Sequence, residues 1–264
     1  MSNSTGRIYV VGIGPGGREH LTPAAEKAIR EADVIVGYRT YLDLIEKLTG
    51  DKEVLSSGMR QEVERCTKAV ELARSGRRVA VICSGDPGIY AMAGLVFEIL
   101  KESCGLQAEG CGLTPGIEII PGVPALSACA ALLGAPLMHD FASISLSDLL
   151  TPWEVIEKRL EAAASADFVI VIYNPKSRAR REQINRARDI VLKFRPPQTP
   201  AGIVRAASRE NERIIITGLK DMPVNEIDMQ STVIIGNSRT FTWNGRMVTP
   251  RGYGNKYTLT PRKP

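Results

Sequence analysis

Residues 7–17, RIYVVGIGPGG, decide the fold. An unbroken apolar run enters a loop in which Gly12, Gly14 and Gly17 stand at GxGxxG spacing. Such a run reads as a buried strand, the kind found in parallel sheets covered on both faces. The same glycine spacing marks dinucleotide cradles, but there the loop opens directly into a helix whose free N–H groups meet the pyrophosphate. Here GREHL intervenes before the best helix start, Thr22–Pro23, and Pro15 removes one backbone donor. The acidic partner should end the second strand roughly 20 residues on. Asp33 instead precedes that strand, which ends at VGYR without a carboxylate. The dinucleotide reading fails on context. What remains is a tight loop at the carboxyl edge of a first strand, where α/β sheets bind ligands.

Outward from this strand, short apolar runs alternate with amphipathic stretches nearly to the end of the 264-residue chain. TPAAEKAIREA (22–32) predicts a helix with Thr22 at the N-cap and Pro23 at the first helical position. DVIVGY (33–38) predicts a strand, and helices are expected over 40–48, 59–76 and 88–102, with strand-and-loop segments over 77–87 and 117–122. The second half offers a helix over 124–135, a strand over 142–148, a helix over 151–164 with a second Thr-Pro start, a strongly apolar strand in 167–175 and a basic helix over 177–194. Strand candidates at 200–206, 212–219 and 231–237 follow, the last two joined by a turn-rich loop. The pattern predicts two α/β domains: 1–122 with a mostly parallel sheet and 123–245 with a mixed one, then a tail over 246–264, partly disordered from 250 on.

Hydrophobic residues make up 44% and charged residues 24%, an ordinary globular balance. No apolar run approaches the roughly 18 residues that a membrane span needs. A short polar tail runs straight into the first strand, with no signal-peptide pattern. Five scattered cysteines, at 66, 83, 104, 111 and 129, do not form a disulfide framework. The expectation is a cytoplasmic protein. His20 and His139 are far apart and two thiols cannot complete a zinc site, so no metal is expected, including at CGLQAEGCG (104–112). Cys83 is expected to be inert, His139 structural, and Trp153 and Trp243 to pack. Net charge is +5, compatible with anionic small molecules or nucleic acid.

The loop after the first strand has three counterparts: CSGDPGIY (83–90), PGVPA (121–125) and YNPKS (173–177). Gly85 permits close backbone approach, and Asp86 offers a carboxylate at a strand end. One such loop is ordinary turn chemistry; four after strands in one chain point to a ligand crevice.

The ordered set VGIGPGG, SGDPGIY and PGVPALSACAALLGAPL resembles the tetrapyrrole (corrin and porphyrin) methyltransferases, which use S-adenosylmethionine. HDFASISLSDLLTPWEVIEKRLEAAASADFVIVIYNPKSRARR and MVTPRGY are similar to the branch that methylates carbon 17 of precorrin-3B or cobalt-factor III, with macrocycle ring contraction, in cobalamin biosynthesis. The resemblance runs from Arg7 to Tyr253; the stretch 104–114 departs from it as an insertion. It implies two α/β domains with the cofactor in the cleft between them, and a homodimer. Carried over by residue, it implies cofactor contacts from Ser84, Gly85, Asp86, Ile89, Pro124, Ala125, Tyr173, Asn174, Ala206 and Thr232. It places Gly14, Pro15 and Gly16 against the macrocycle.

Methyl transfer from a sulfonium needs orientation, worth about 7–11 kcal/mol of barrier, and no protein nucleophile. Ring contraction needs proton movement, for which Asp86 is the candidate catalytic group, though an Asx-turn role also fits it. The acceptor implied carries acetate and propionate groups, which call for cations such as Lys176 and Arg178 at the loop, with Arg180 and Arg181 beside them. Arg39 and Arg205 also follow strand-like runs. Arg186 and Arg188 fit a solvated helix face, and Tyr90, expected on the helix after the GDP loop, fits the cleft or solvent equally. The alternatives are a family member acting at another ring carbon, a nucleic-acid-binding protein using the 176–188 basic run, and a non-catalytic nucleotide-binding module. Aromatic residues total 5% with none in the basic run before Phe194, against the pattern of nucleic-acid platforms. The cradle failure argues against the third.

Overall fold

A computed structural model describes residues 6–58, 60–104 and 114–259. Two units emerge, Met1–Ala125 and Leu126–Pro264.

In the first unit, β1 (Arg7–Gly12), β2 (Val34–Tyr38), β3 (Glu53–Ser57), β4 (Arg78–Cys83) and β5 (Gly116–Ile120) form a sheet of order β3-β2-β4-β1-β5. All four pairings are parallel. Alternate residues of the buried strands feed two cores. Ile8, Val10, Val34, Val36, Val79 and Val81 meet Cys66, Ala69 and Val70 of α4 (Glu62–Arg74) and Val96 and Leu100 of α5 (Ala93–Cys104). Tyr9, Val11, Ile35, Ala80 and Ile82 meet Ala25, Ala28 and Ile29 of α1 (Pro23–Glu31) on the other face. The unbroken apolar runs thus reflect burial on both sides. Thr22 caps α1 as expected, its hydroxyl accepting from Ala25 N at 3.1 Å.

Three expectations change here. The helix over 40–48 is two short pieces, α2 (Arg39–Asp43) and α3 (Glu46–Thr49). β3 is an additional edge strand, mostly exposed and without an apolar run to betray it. α5 starts at Ala93, so Tyr90 lies in the preceding loop, with φ +53°.

The second unit holds α6 (Ala125–Leu133), β6 (Gly134–Ala135), β7 (Phe141–Ser145), α7 (Trp153–Ser165), β8 (Val169–Tyr173), α8 (Gln183–Leu192), β9 (Pro200–Arg205), β10 (Arg213–Gly218) and β11 (Ser231–Ile235). Its sheet runs β10-β9-β11-β8-β7, parallel only between β7 and β8, hence mixed as expected. α7 and α8 bury Ile156, Leu160, Ile184 and Val191 against Ile170, Ile172, Ile203 and Val233. On the opposite face α6 comes so close that a Cβ on Gly202 would meet Leu133 Cδ1 at 2.5 Å. α7 begins one residue later than its Thr-Pro signal, with Pro152 itself at the cap and no side-chain capping bond. The basic helix contracts to Gln183–Leu192, which leaves Lys176, Arg178, Arg180 and Arg181 on a loop. Residues 246–248, expected in the tail, instead form β13 (Arg246–Val248), paired with β12 (Phe241–Trp243) and β6. Asn244 and Gly245, both at positive φ, make the hairpin turn. Cys111 and the insertion around it lie outside the described residues, as does the end of the tail from 260.

The carboxyl ends of β1, β4 and β5 converge backbone on backbone. A Cβ on Gly12 would lie 2.6 Å from Gly85 O and 2.7 Å from Gly122 N; one on Gly122 would lie 2.2 Å from Gly85 O. Backbone cannot retreat as a side-chain tip can. Gly122→Ala is therefore expected to cost about 3 kcal/mol of unfolding free energy in urea melts, at the upper end of overpacking. Gly94→Ala, in α5 with open space around its Cβ, is the control and should be neutral or stabilising.

Candidate functional site

The expected site residues fall into one cluster in each unit. In the first, the β1 loop and the β4 loop bond to each other: Ile13 N donates to Cys83 O at 2.9 Å, Gly14 N to Gly85 O at 3.2 Å, and Gly85 N to Gly14 O at 2.7 Å. Gly14 and Gly85 hold φ +76° and +67°, conformations that favour glycine. The N–H groups that a phosphate cradle would offer are spent on this bridge. Gly14 and Pro15 are buried and Gly16 is half-buried, so of the three residues expected against the macrocycle only Gly16 offers much surface.

Asp86 pins the third loop. Its Oδ1 accepts from Gly88 N at 2.8 Å, and Oδ2 from Gly122 N at 3.2 Å. This realises the Asx-turn reading and adds a tie from the β4 loop to the β5 loop. Ser84, Asp86, Ile89, Pro124 and Ala125 are all half-buried. A Cβ on Gly85 would sit 3.7 Å from Ala125 N and 3.8 Å from Pro124 Cα, so the GDP loop and the PGVPA turn are neighbours. Sequence reasoning missed Arg65. It is 4% exposed on α4 and donates to Ser57 Oγ at 2.6 Å, Gly58 O at 2.9 Å and Met92 Sδ at 3.3 Å, holding the β3 turn to the end of the β4 loop.

In the second unit, register brings Tyr173, Asn174, Ala206 and Thr232 to one edge. Thr232 pairs with Val204 and Val233 with Ile172, so Tyr173 at the end of β8 and Ala206 after β9 flank the start of β11. The Tyr173 hydroxyl accepts from Leu126 N in α6 at 2.8 Å. Thr232 is buried, and its hydroxyl counters the burial that raises the Cys129 thiol. Asn174 and Ala206 both sit at φ +49°, a left-handed conformation that non-glycine residues adopt at a cost and that concentrates at ligand sites.

The cations behave differently from one another. Lys176 Nζ donates to Val224 O at 2.9 Å, while Arg178 is exposed. Arg180 is turned inward, donating from Nε and Nη2 to Asn174 O. Burial pulls its pKa down, and Asp148 opposes the shift. Arg186 bonds Glu157 at 2.8 Å and lies over the Trp153 ring; Arg188 bonds Asp189. Arg205 bonds Asp228 at 2.6 Å. The 176–188 run is thus no continuous free basic face. Ser145 and Asp148 were also missed as partners of this loop, although both belong to the quoted SISLSDLL segment. Trp243 is exposed, not packed.

A surface depression of about 640 Å³ lies elsewhere, at the amino edge of the parallel sheet among Arg30, Asp33, Lys47, Lys52 and Arg78. It contains none of the expected residues, and three of its charged groups are engaged with one another or with backbone: Arg78 with Asp33, and Lys52 with two carbonyls. Strand-end chemistry is the better guide. Among the described residues no three His, Cys, Asp or Glu groups gather as a metal-ligand set, and no helix is long and apolar enough to cross a membrane.

The model of the family "Tetrapyrrole (Corrin/Porphyrin) Methylases" matches residues 7–223. A cobalt-factor III methyltransferase of Priestia megaterium is 53% identical over 96% of this chain, which spans only 46% of that relative. A probable cobalt-factor III C(17)-methyltransferase of Salmonella typhimurium LT2 is 50% identical over 93% of this chain and 99% of its own length. The crystal structure of the methyltransferase CobJ superposes with TM-score 0.85 at 38% identity, covering 93% of this chain and all of that one. A uroporphyrin-III C-methyl transferase from Thermus thermophilus, complexed with S-adenyl homocysteine, gives TM-score 0.63 at 25% identity, covering 88% of this chain and 97% of that one.

The thiols beside these clusters should be silent. Burial pushes Cys83 up to about 12 and Cys66 and Cys129 up to about 11. At pH 8, iodoacetamide followed by peptide mass mapping should leave these three unlabelled in the native protein and labelled after denaturation.

Proposed function

Because the chain belongs to the tetrapyrrole methylase family, we infer that it transfers a methyl group from S-adenosylmethionine to carbon 17 of cobalt-factor III or precorrin-3B, with ring contraction, in cobalamin biosynthesis. The observation that carries this reading is the match across 99% of the Salmonella typhimurium C(17)-methyltransferase and 93% of this chain at 50% identity. The cobalt-bearing acceptor is favoured, since the two relatives described above, at 53% and 50% identity, are named for it.

The residues fit the cofactor. Ser84, Gly85, Asp86, Ile89, Pro124 and Ala125 of the first unit, and Tyr173, Asn174, Ala206 and Thr232 of the second, include no cation, and their one carboxylate is Asp86. A neutral-to-acidic set suits a sulfonium, which a nearby Lys or Arg would repel. S-adenosylmethionine, when bound, supplies a methyl group already activated for displacement. What the chain must add is orientation. The bridged loops at Gly14 and Gly85 hold one set of groups rigid, and the left-handed turns at Asn174 and Ala206 hold the other. Asp86, with both oxygens engaged, serves this positioning, and the same carboxylate is the candidate for moving a proton during ring contraction. Arg178 is the exposed cation for the acceptor's carboxylates; Lys176 retains two further donors beyond its bond to Val224 O. Gly14, Pro15 and Gly16 supply backbone to the acceptor's side of the site. The free thiols at Cys66, Cys83 and Cys129 support a reducing compartment, the cytoplasm, and the family resemblance supports a homodimer.

Calorimetric titration should show saturable binding of S-adenosylmethionine, lost in Gly85→Val, whose φ of +67° a β-branched residue resists, and weakened at least tenfold in Asp86→Ala. Incubation with cobalt-factor III should give a product heavier by one methyl group, with the label at carbon 17 by NMR. Binding of a nicotinamide nucleotide alone, or methylation at another ring carbon, would sink the assignment.

A further inference from the structure

The SLSDLL and YNPKSRARR segments meet at one guanidinium. Arg180 is 5% exposed. Its Nε and Nη2 donate to Asn174 O at 3.3 and 3.1 Å, its Nη1 stands 3.7 Å from Asp148 Oδ1, and Nη2 reaches Met229 Sδ at 3.7 Å. Three chain segments, after β7, after β8 and before β11, are thus held by one side chain. The loop also closes on itself: Ser177 N donates to Arg180 O at 2.9 Å, and Arg180 N to Ser177 Oγ at 3.1 Å. On the far side, Asn174 Nδ2 donates to Ser145 Oγ at 2.9 Å, and Gln183 Nε2 to Asp148 Oδ2 at 2.8 Å.

Burying a guanidinium is costly unless something requires it. What Arg180 grips is the carbonyl of Asn174, the residue held at φ +49°. In an extended conformation that carbonyl would point elsewhere, and the side chain of Asn174 would leave Ser145. We propose that Arg180 is a positioning residue: it locks Asn174 in its left-handed conformation and thereby fixes the β8 edge that receives the cofactor, with Asp148 orienting the guanidinium. The inference rests on the cofactor reading above and extends it to two residues outside the contact set. It also gives the SLSDLL segment a physical task, since Asp148 lies within it.

Lysine cannot reproduce a planar fork that meets a carbonyl through two nitrogens and a carboxylate through the third. In Arg180→Lys and Arg180→Gln, with circular dichroism as for the parent, the Kd for S-adenosylmethionine by calorimetry is expected to rise at least tenfold. In turnover the KM for S-adenosylmethionine should rise with it, while the KM for the tetrapyrrole stays within twofold. Asp148→Asn, at a part-exposed position, should shift the same parameters about threefold. A purely structural Arg180 would lower the active fraction, reducing kcat with both KM values intact; that result overturns the proposal. So does an unchanged Kd in folded variants, or, should both Arg180 variants fail to fold, an unchanged Kd in Asp148→Asn. A parent protein that binds no S-adenosylmethionine overturns the cofactor reading and this inference together, whereas binding by the parent with insensitive variants overturns this inference alone.

Discussion

Two glycines without room for a methyl group, Gly12 and Gly122, packed on the backbone of a third, Gly85, govern the first unit. Gly12 ends β1, Gly85 and Gly122 lie two residues past the ends of β4 and β5, and each Cβ position at Gly12 or Gly122 is already filled by another loop's backbone. The strand ends therefore meet through peptide planes, and the reciprocal bonds between Gly14 and Gly85 fix their register beyond the sheet. The GxGxxG spacing is real, but its physics is the reverse of a phosphate cradle. A cradle needs N–H groups left over for an anion; here those of Gly14 and Gly85 satisfy carbonyls of the facing loop. Asp86 completes the arrangement by tying Gly122 N to the same loop.

The second unit reaches comparable precision by another route. At the edge formed by β8, β11 and β9 the turns carry Asn174 and Ala206 in left-handed conformations, where glycine would be easier. Left-handed backbone at non-glycine residues persists only when its surroundings over-determine it. For Asn174 the surroundings are visible: Arg180 on the carbonyl and Ser145 on the amide. For Ala206 the N–H bonds Gln230 O, and the adjoining Arg205–Asp228 pair anchors the turn before β11. Glycine allows the conformation at Gly14 and Gly85; at Asn174 side chains enforce it.

The apolar runs made most of the architecture legible. Residues 8–13, 34–37 and 169–172 are buried on both faces, so composition alone separates them from half-exposed strands, and Thr22–Pro23 starts α1 as its cap chemistry dictates. What escaped lacked that signal. β3 is an edge strand with scarcely any buried side chain, and β12 and β13 are three residues each. The hairpin between the latter was readable all the same, because Asn244–Gly245 is the turn pair that two-residue hairpins demand. In the site, the strand-end loops were visible as Gly, Pro and Asp punctuation. The partners of those loops were not, since Arg65 on α4 and Asp148 before α7 look in sequence like ordinary surface charges, and only tertiary contact reveals the hydroxyl and carbonyl that Arg65 serves and the guanidinium and amide that Asp148 holds.

The fate of the basic run shows why charge counting overstates a binding surface. Lys176, Arg178, Arg180, Arg181, Arg186 and Arg188 form, in sequence, an attractive landing strip for an anionic macrocycle or a nucleic acid. In the fold, Arg180 faces inward to Asn174 O, Lys176 is drawn to Val224 O, and Arg186 and Arg188 bond carboxylates. Each cation loses affinity for an external carboxylate in proportion to how well its internal acceptor replaces water. Arg178, proposed above to meet the acceptor, stays exposed, and a guanidinium that meets a carboxylate in bidentate fashion sets orientation as well as attraction. An enzyme whose catalysis is orientation gains from that economy. One well-placed fork defines a direction, whereas a diffuse basic face holds a polyanion in many poses and favours none of them for in-line transfer.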